Sequence, residues 1–223
     1  MPIDPLYFFE VIPELIPYIP ITLFIAVVSL IIAVAGGLLL ALCLRSGIWI
    51  LSALAKLYIS FFRAVPTLVQ LFIIYYGLPQ IFPGMSIIDS MTASILGLSV
   101  KNAAYLAEIF RAAITSVDKG QFEGARAVGM TKVQAYIRII LPQAVRNAIP
   151  ATGNQFIGLM KETSLVFTLG MTELFAQARI SASSTYRYFE TFLAVAVIYW
   201  VMTIAYSYLQ GLLEKKVNKP YES

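Results

Sequence analysis

The stretch Gln121–Pro150, QFEGARAVGMTKVQAYIRIILPQAVRNAIP, is a polar, basic interruption in a chain that is otherwise mostly apolar. Two short helices can be read in it. Small residues (Gly124, Ala125, Ala127) build the first, from about Gln121 to Val128, with Phe122 as its one large apolar group. Gly129 stands where a helix end calls for a residue that reaches positive φ without steric cost. Thr131 opens the second helix, with Gln134 three residues on, the arrangement of a capping box. Val133, Ile137, Ile140 and Leu141 share one face, while Lys132, Gln134 and Arg138 fall elsewhere. Pro142 lacks an amide hydrogen and is predicted to end the helix. The stretch therefore reads as a compact helix–turn–helix between two apolar segments. Its small residues would let another protein's backbone approach closely, and its apolar face would fill a groove. An ordinary loop helix resting on a membrane surface fits the composition as well.

Outside this stretch the chain is built for lipid. Hydrophobic residues make up 59% and charged residues 13%, against roughly 25% charged in a soluble domain. Mean hydropathy is +0.80. A length of 223 residues suits one membrane domain over 1–223. The net charge of +4 is no nucleic-acid signal, because basic loops are expected on one side of a membrane protein. With no histidine, the commonest metal ligand and general base are missing, and a lone cysteine, Cys43, excludes an intrachain disulfide. The acidic start MPIDPLYFFEVIPEL is not the basic n-region of a cleavable signal peptide.

Five spans follow from the apolar runs: 18–44, 57–77, 91–115, 147–171 and 191–213, with the basic loop 118–146 between the third and fourth. Leu15 to Leu44 carries no charge, longer than the roughly 20 residues a spanning helix needs. The second span contains Arg63 and Pro66. Segments Gly77–Ser90 and Thr172–Glu190 read as polar loops. Lys and Arg concentrate in Arg45–Lys56, Lys119–Arg146 and Lys215–Lys219, whereas Met1–Pro17 and Gly77–Ser90 have none. That asymmetry predicts an external N-terminus and a cytoplasmic C-terminus.

Charges inside spans are expensive and usually face a bundle interior or an aqueous cavity. In the third span, Lys101, Tyr105 and Glu108 share a helical stripe beside Asn102. Glu108 and Arg111 would also neutralise each other at i, i+3. Arg63 either snorkels to the interface or serves the interior. The most informative group is Lys161-Glu162-Thr163-Ser164, about 17 Å along its helix from Pro150 and so near the bilayer centre. Adjacent residues point about 100° apart, so Lys161 and Glu162 are poorly placed to pair with one another. Gln155, Gly158 and Glu162 share one stripe, and Asn154, Gly158 and Lys161 its neighbour. A polar network between helices and a polar substrate pathway both fit. Glu162 has no cation at helical spacing on its own span. A cationic substrate would supply one, or Lys101 or Lys161 would supply it across the bundle.

Glu123-Gly124-Ala125, Gly129 and Ile139-x-Leu141-Pro142 together resemble the EAA signature of permease subunits of bacterial ABC importers. Gly124 stands where that family usually has alanine. FFRAVPTLVQLFIIYYGLP (61–79), KNAAYLAEIFRAAITSVDKGQFEGA (101–125) and MKETSL (160–165) are similar to the polar amino acid branch of the family. The resemblance implies an all-α integral membrane fold of the type I importer permease kind, with five transmembrane helices in a bacterial cell membrane. It also implies a cytoplasmic coupling helix between helices 3 and 4, docked on an ATPase through Glu123, Gly124, Ala125, Arg126, Gly129, Met130, Ile139, Leu141 and Pro142. Two such ATPase subunits would hold the ATP and magnesium, leaving this chain without a cofactor of its own. A second permease copy, identical or related, would complete the pore, and an extracytoplasmic solute-binding protein would deliver the amino acid. MKETSL lies where that family lines its pathway.

None of the 13 glycines precedes a lysine, so the Gly-Lys step of a phosphate-binding loop is missing. The leading expectation is thus an importer permease subunit for a polar amino acid. Glu162 favours a cationic one (arginine, lysine or histidine), while neutralisation by a lysine would favour glutamine. An ion-coupled secondary transporter would ordinarily show an inverted repeat, which is not detectable. A membrane anchor without transport activity is the third class.

Overall fold

Pro5 opens the first helix, where its missing amide hydrogen costs nothing, and Asp4 caps it by accepting from the Leu6 and Tyr7 amides. The computed structural model describes residues 4–219, so the chain ends of the topology reading, 1–3 and 220–223, lie outside it. Among the described residues every regular element is helical. They are α1 (Pro5–Leu15), α2 (Ile19–Arg45), α3 (Trp49–Ala64), α4 (Thr67–Phe72), α5 (Leu78–Ile81) and α6 (Ser90–Thr115). Then come α7 (Lys119–Ala127), α8 (Lys132–Ala135), α9 (Leu141–Glu162), α10 (Leu174–Thr185) and α11 (Tyr188–Asn218). Among the described residues two helical stretches, Pro5–Arg45 and Tyr188–Asn218, are long and apolar enough to cross a membrane, or three if the bent pair Trp49–Ala64 and Thr67–Ile81 counts as one. The charged helices α6 and α9 are not among them.

In lipid, apolar faces gain little by meeting each other, so helices associate where small side chains let backbones come close. On α2 the buried residues Ser29, Ala33, Gly37 and Ala41 recur every fourth position, and this stripe meets Ala103, Leu106 and Ala107 of α6. Two hydrogen bonds cross the seam, from Ser29 Oγ to the Ile95 carbonyl (3.4 Å) and from Ser99 Oγ to the Ser29 carbonyl (3.3 Å). A third helix, α9, closes the core through Phe156, Leu159 and Met160 against Ile25 and Ala26.

The stretch read as the second span is not one straight helix. Val65 is pushed to extended backbone (ψ 136°) by the proline that follows, and the chain bends 110° between α3 and α4. The carbonyls left over at the break find a donor in Gln70, almost fully buried, whose Nε2 reaches Phe62 O (3.0 Å) and Val65 O (2.8 Å). In a bilayer such side-chain rescue is what makes an interior proline tolerable.

Both polar loops contain helices. Between the fourth and fifth expected spans lies α10, capped by Glu173, which is fully buried and accepts from the Ala176 amide (2.9 Å), Thr22 Oγ1 (3.3 Å) and Tyr199 OH (3.5 Å). At the same end, Arg187 pairs with Asp4 (2.6 Å) and covers the Tyr7 ring at 5.0 Å. The Asp4 amide donates to Glu190 (2.9 Å). These contacts fasten α1 to the corner between α10 and α11.

Candidate functional site

The fourth apolar segment changes geometry at its charged tetrad. After Glu162 the α-helix tightens into a 3-10 helix, Thr163–Leu169, which Gly170 stops at φ +81°. Hydroxyls hold the tight turns: Thr163 donates to the Met160 carbonyl (2.8 Å), Ser164 to Lys161 (2.7 Å) and Thr168 to Leu165 (2.7 Å). A 3-10 turn is a common way for an α-helix to end. Glu162, the last residue of α9, faces α6, where the buried Lys101 donates to Glu162 Oε1 at 2.5 Å. The other carboxylate oxygen, Oε2, is buried and has no hydrogen-bond partner among the described residues.

Of the two ways considered for neutralising Glu162, the structure shows the one across the bundle, with Lys101 and not Lys161. The sequence reading had named Lys101 as part of a stripe and as one candidate partner of Glu162, but not among the pathway residues. Lys101 Nζ also sits 4.5 Å from the centre of the Tyr105 ring, whose other neighbour is the exposed Arg63 guanidinium at 5.6 Å. Cation–π contacts of this kind hold positive charge where water is scarce. Below the pair, Gln155 donates to Asn102 (2.5 Å), and Asn102 to the Leu98 carbonyl (2.8 Å). Asn154 and Lys161 are exposed on the neighbouring stripe, and the space beside Gly158 is open, as expected from a glycine between the two rows. Glu108 departs from the stripe reading. It takes instead the i, i+3 partner considered for it, Arg111, through three hydrogen bonds, the nearest at 2.7 Å.

The helix–turn–helix keeps most of its expected local features. Gly129 has φ +86°, the Met130 amide reaches back to the Ala125 carbonyl (3.1 Å), and Thr131 and Gln134 form both halves of the capping box. Arg126 adds a hydrogen bond to the Met130 carbonyl (2.5 Å). Pro142 does not end the second helix. A π-helical turn, Tyr136–Ile140, absorbs the amide that proline cannot supply, and the helical path continues into α9. The faces also differ from expectation. Phe122 turns inward onto Tyr136 (ring centroids 5.5 Å apart), which Arg45 of α2 binds through its hydroxyl. Ile140 is buried and Ile139 packs beside it. Glu123, Gly124, Arg126, Pro142 and the apolar Val128, Val133, Ile137 and Leu141 remain exposed.

A helical membrane protein with a charge pair inside its bundle and an exposed helix–turn–helix at one end belongs to the class of membrane transport subunits. The chain belongs to the family of binding-protein-dependent transport system inner membrane components, whose pattern matches residues 33–219. It is an ABC importer permease subunit and not an enzyme. Among its relatives is the probable amino-acid permease protein YxeN of Bacillus subtilis (strain 168), 65% identical over 95% of this chain and 94% of its own. Another is the probable amino-acid ABC transporter permease protein PatM of Vibrio harveyi, 47% identical over 96% of each chain. A solved amino acid ABC transporter with histidines is 42% identical, with a TM-score of 0.89 over 97% of this chain and 100% of that one.

Proposed function

We propose that this permease carries a polar amino acid past the Lys101–Glu162 pair. The observation that carries the proposal is the buried, unpartnered Glu162 Oε2, because a buried acceptor left unmade is costly and an ammonium group would satisfy it. Lys161, Asn154 and the Tyr105 hydroxyl are then the groups for an α-carboxylate. A cationic side chain such as that of arginine, lysine or histidine makes the fullest use of Oε2. The second reading, a neutral substrate such as glutamine, is favoured by Lys101, which already balances the Glu162 charge. Uptake by the reconstituted complex separates the two. With Glu162→Gln, arginine uptake is expected to weaken by at least about 2 kcal/mol, roughly thirtyfold, and glutamine uptake much less. Equal loss for both would make Glu162 structural and remove the case for a cation.

Transport in this reading is driven by two ATPase subunits, which hold the ATP and magnesium, with a second permease copy and an external solute-binding protein. The N-terminus lies outside, and the exposed helix–turn–helix is the cytoplasmic docking surface. Closure of the ATPase pair would draw the two docking helices together and switch the bundle between inward-open and outward-open arrangements. Gly129→Val is the test of docking. A β-branched residue at φ +86° is strained by more than the 1–2 kcal/mol of an ordinary left-handed residue, so the turn should re-form differently. The expected result is a folded complex whose ATP hydrolysis no longer drives uptake. Normal coupling would sink the docking assignment.

A further inference from the structure

An apolar cleft of about 470 Å³ opens between α2, α6, α9 and α11 in the half of the bundle nearest the helix–turn–helix. Val34, Phe110, Ala148 and Leu209 represent its four walls. It shares Leu141 and Val145 with a second cavity of about 510 Å³, and there Arg146 and Lys216 line the wall. The two spaces thus adjoin along α9 and outline a path greasy at one end and basic at the other. Glu214, two residues before Lys216, is engaged by Gln210 Nε2 (2.7 Å), which also reaches the Pro150 carbonyl (3.3 Å).

We infer that this path is a binding site for an anionic phospholipid, with an acyl chain in the cleft and the headgroup phosphate between Arg146 and Lys216. Neither part alone would select a lipid. An acyl chain gains little by leaving other acyl chains for an apolar wall, so the cleft contributes shape and position. Basic residues between helices at the cytoplasmic face contribute the preference for negative charge. The placement suits that role, since Lys216 extends from the exposed end of α11 and Arg146 lies one turn inside the start of α9. A water-filled pocket is a poor alternative, because the cleft wall is nearly all apolar. The inner-leaflet placement rests on the orientation proposed above, but the binding test does not depend on it.

The complex, purified in mild detergent and stripped of lipid, would be incubated with phosphatidylglycerol or phosphatidylcholine, and retained lipid counted by native mass spectrometry. The wild-type complex should retain phosphatidylglycerol in preference. Lys216→Glu should weaken that retention at least about fivefold, from the usual worth of one basic residue near an anionic lipid, without changing the phosphatidylcholine level. Val145→Trp, at an exposed position on the rim, should block the cleft and lower retention with the basic mouth intact. Equal retention of the two lipids, or Lys216→Glu matching wild type, would overturn the proposal. So would a disulfide between two permease copies through Leu209→Cys in a Cys43→Ser background, since a second copy would then cover the cleft.

Discussion

Replacing Lys101 with methionine is expected to destabilise the folded permease by about 3 kcal/mol or more, because removing one partner of a buried ion pair strands the other charge. The side chain of Lys101 is 8% exposed and that of Glu162 26%, so the stranded carboxylate would keep only a quarter of its surface open. Its Oε2 already lacks a partner, and the substitution would orphan Oε1 as well. The cost belongs to Glu162 being left alone and not to the strength of the pair. A double variant, Lys101→Met with Glu162→Gln, should therefore recover most of the lost stability while remaining poor in uptake. Melting of the purified complex in detergent measures the first part and reconstituted uptake the second. A Lys101→Met protein within 0.5 kcal/mol of wild type would mean that Glu162 finds another cation. If the double variant were no better than the single one, the loss would come from the lysine's own packing on Tyr105.

The features legible in the sequence were those set by a few neighbouring residues. Gly129 and the Thr131–Gln134 box were readable because a helix end imposes its chemistry within four positions. Gly158 was readable as open space because it sits between two polar rows on one helix. Pro142 misled because the local rule for proline is a cost, and the structure absorbs that cost with a π turn at Tyr136–Ile140. Gln70 carried a faint signal, lying four residues after Pro66, but only the bend shows which carbonyls it serves. Glu173 gave none, since a glutamate in a serine-rich loop ordinarily faces water. The Lys101–Glu162 pair was legible as two charges in need of partners. Which partners they would take depended on how α6 and α9 are turned, and residues 61 positions apart say nothing of that. The stripe Ser29, Ala33, Gly37 and Ala41 was visible as a four-residue spacing, yet α2 is apolar all round, so hydrophobic pattern could not point its buried face.

That stripe carries the second large effect. A Cβ placed on Gly37 would stand 2.8 Å from Leu106 Cβ, 3.1 Å from the Ala107 nitrogen and 3.2 Å from the Ala103 carbonyl oxygen. Two of those atoms are backbone, so no side chain can swing away and the helices themselves must part. Gly37→Ala is expected to cost about 1–3 kcal/mol, the usual penalty for overpacking. Gly37→Ile should cost more and lower the yield of folded complex, because a β-branched side chain has few rotamers with which to escape. Parting α2 from α6 would also lengthen the Ser29 and Ser99 hydrogen bonds across the seam, which are already 3.3–3.4 Å. Gly124 supplies the control. It is exposed, nothing lies within 4 Å of a Cβ added there, and alanine should stabilise its helix by about 0.5–1 kcal/mol. Melting temperatures of the three purified variants decide the matter, with Gly124→Ala at or above wild type, Gly37→Ala below it and Gly37→Ile lowest. A Gly37→Ile protein that melts with wild type would mean that α2 and α6 do not meet at this register, and the bundle that presents Lys101 to Glu162 would have to be rebuilt.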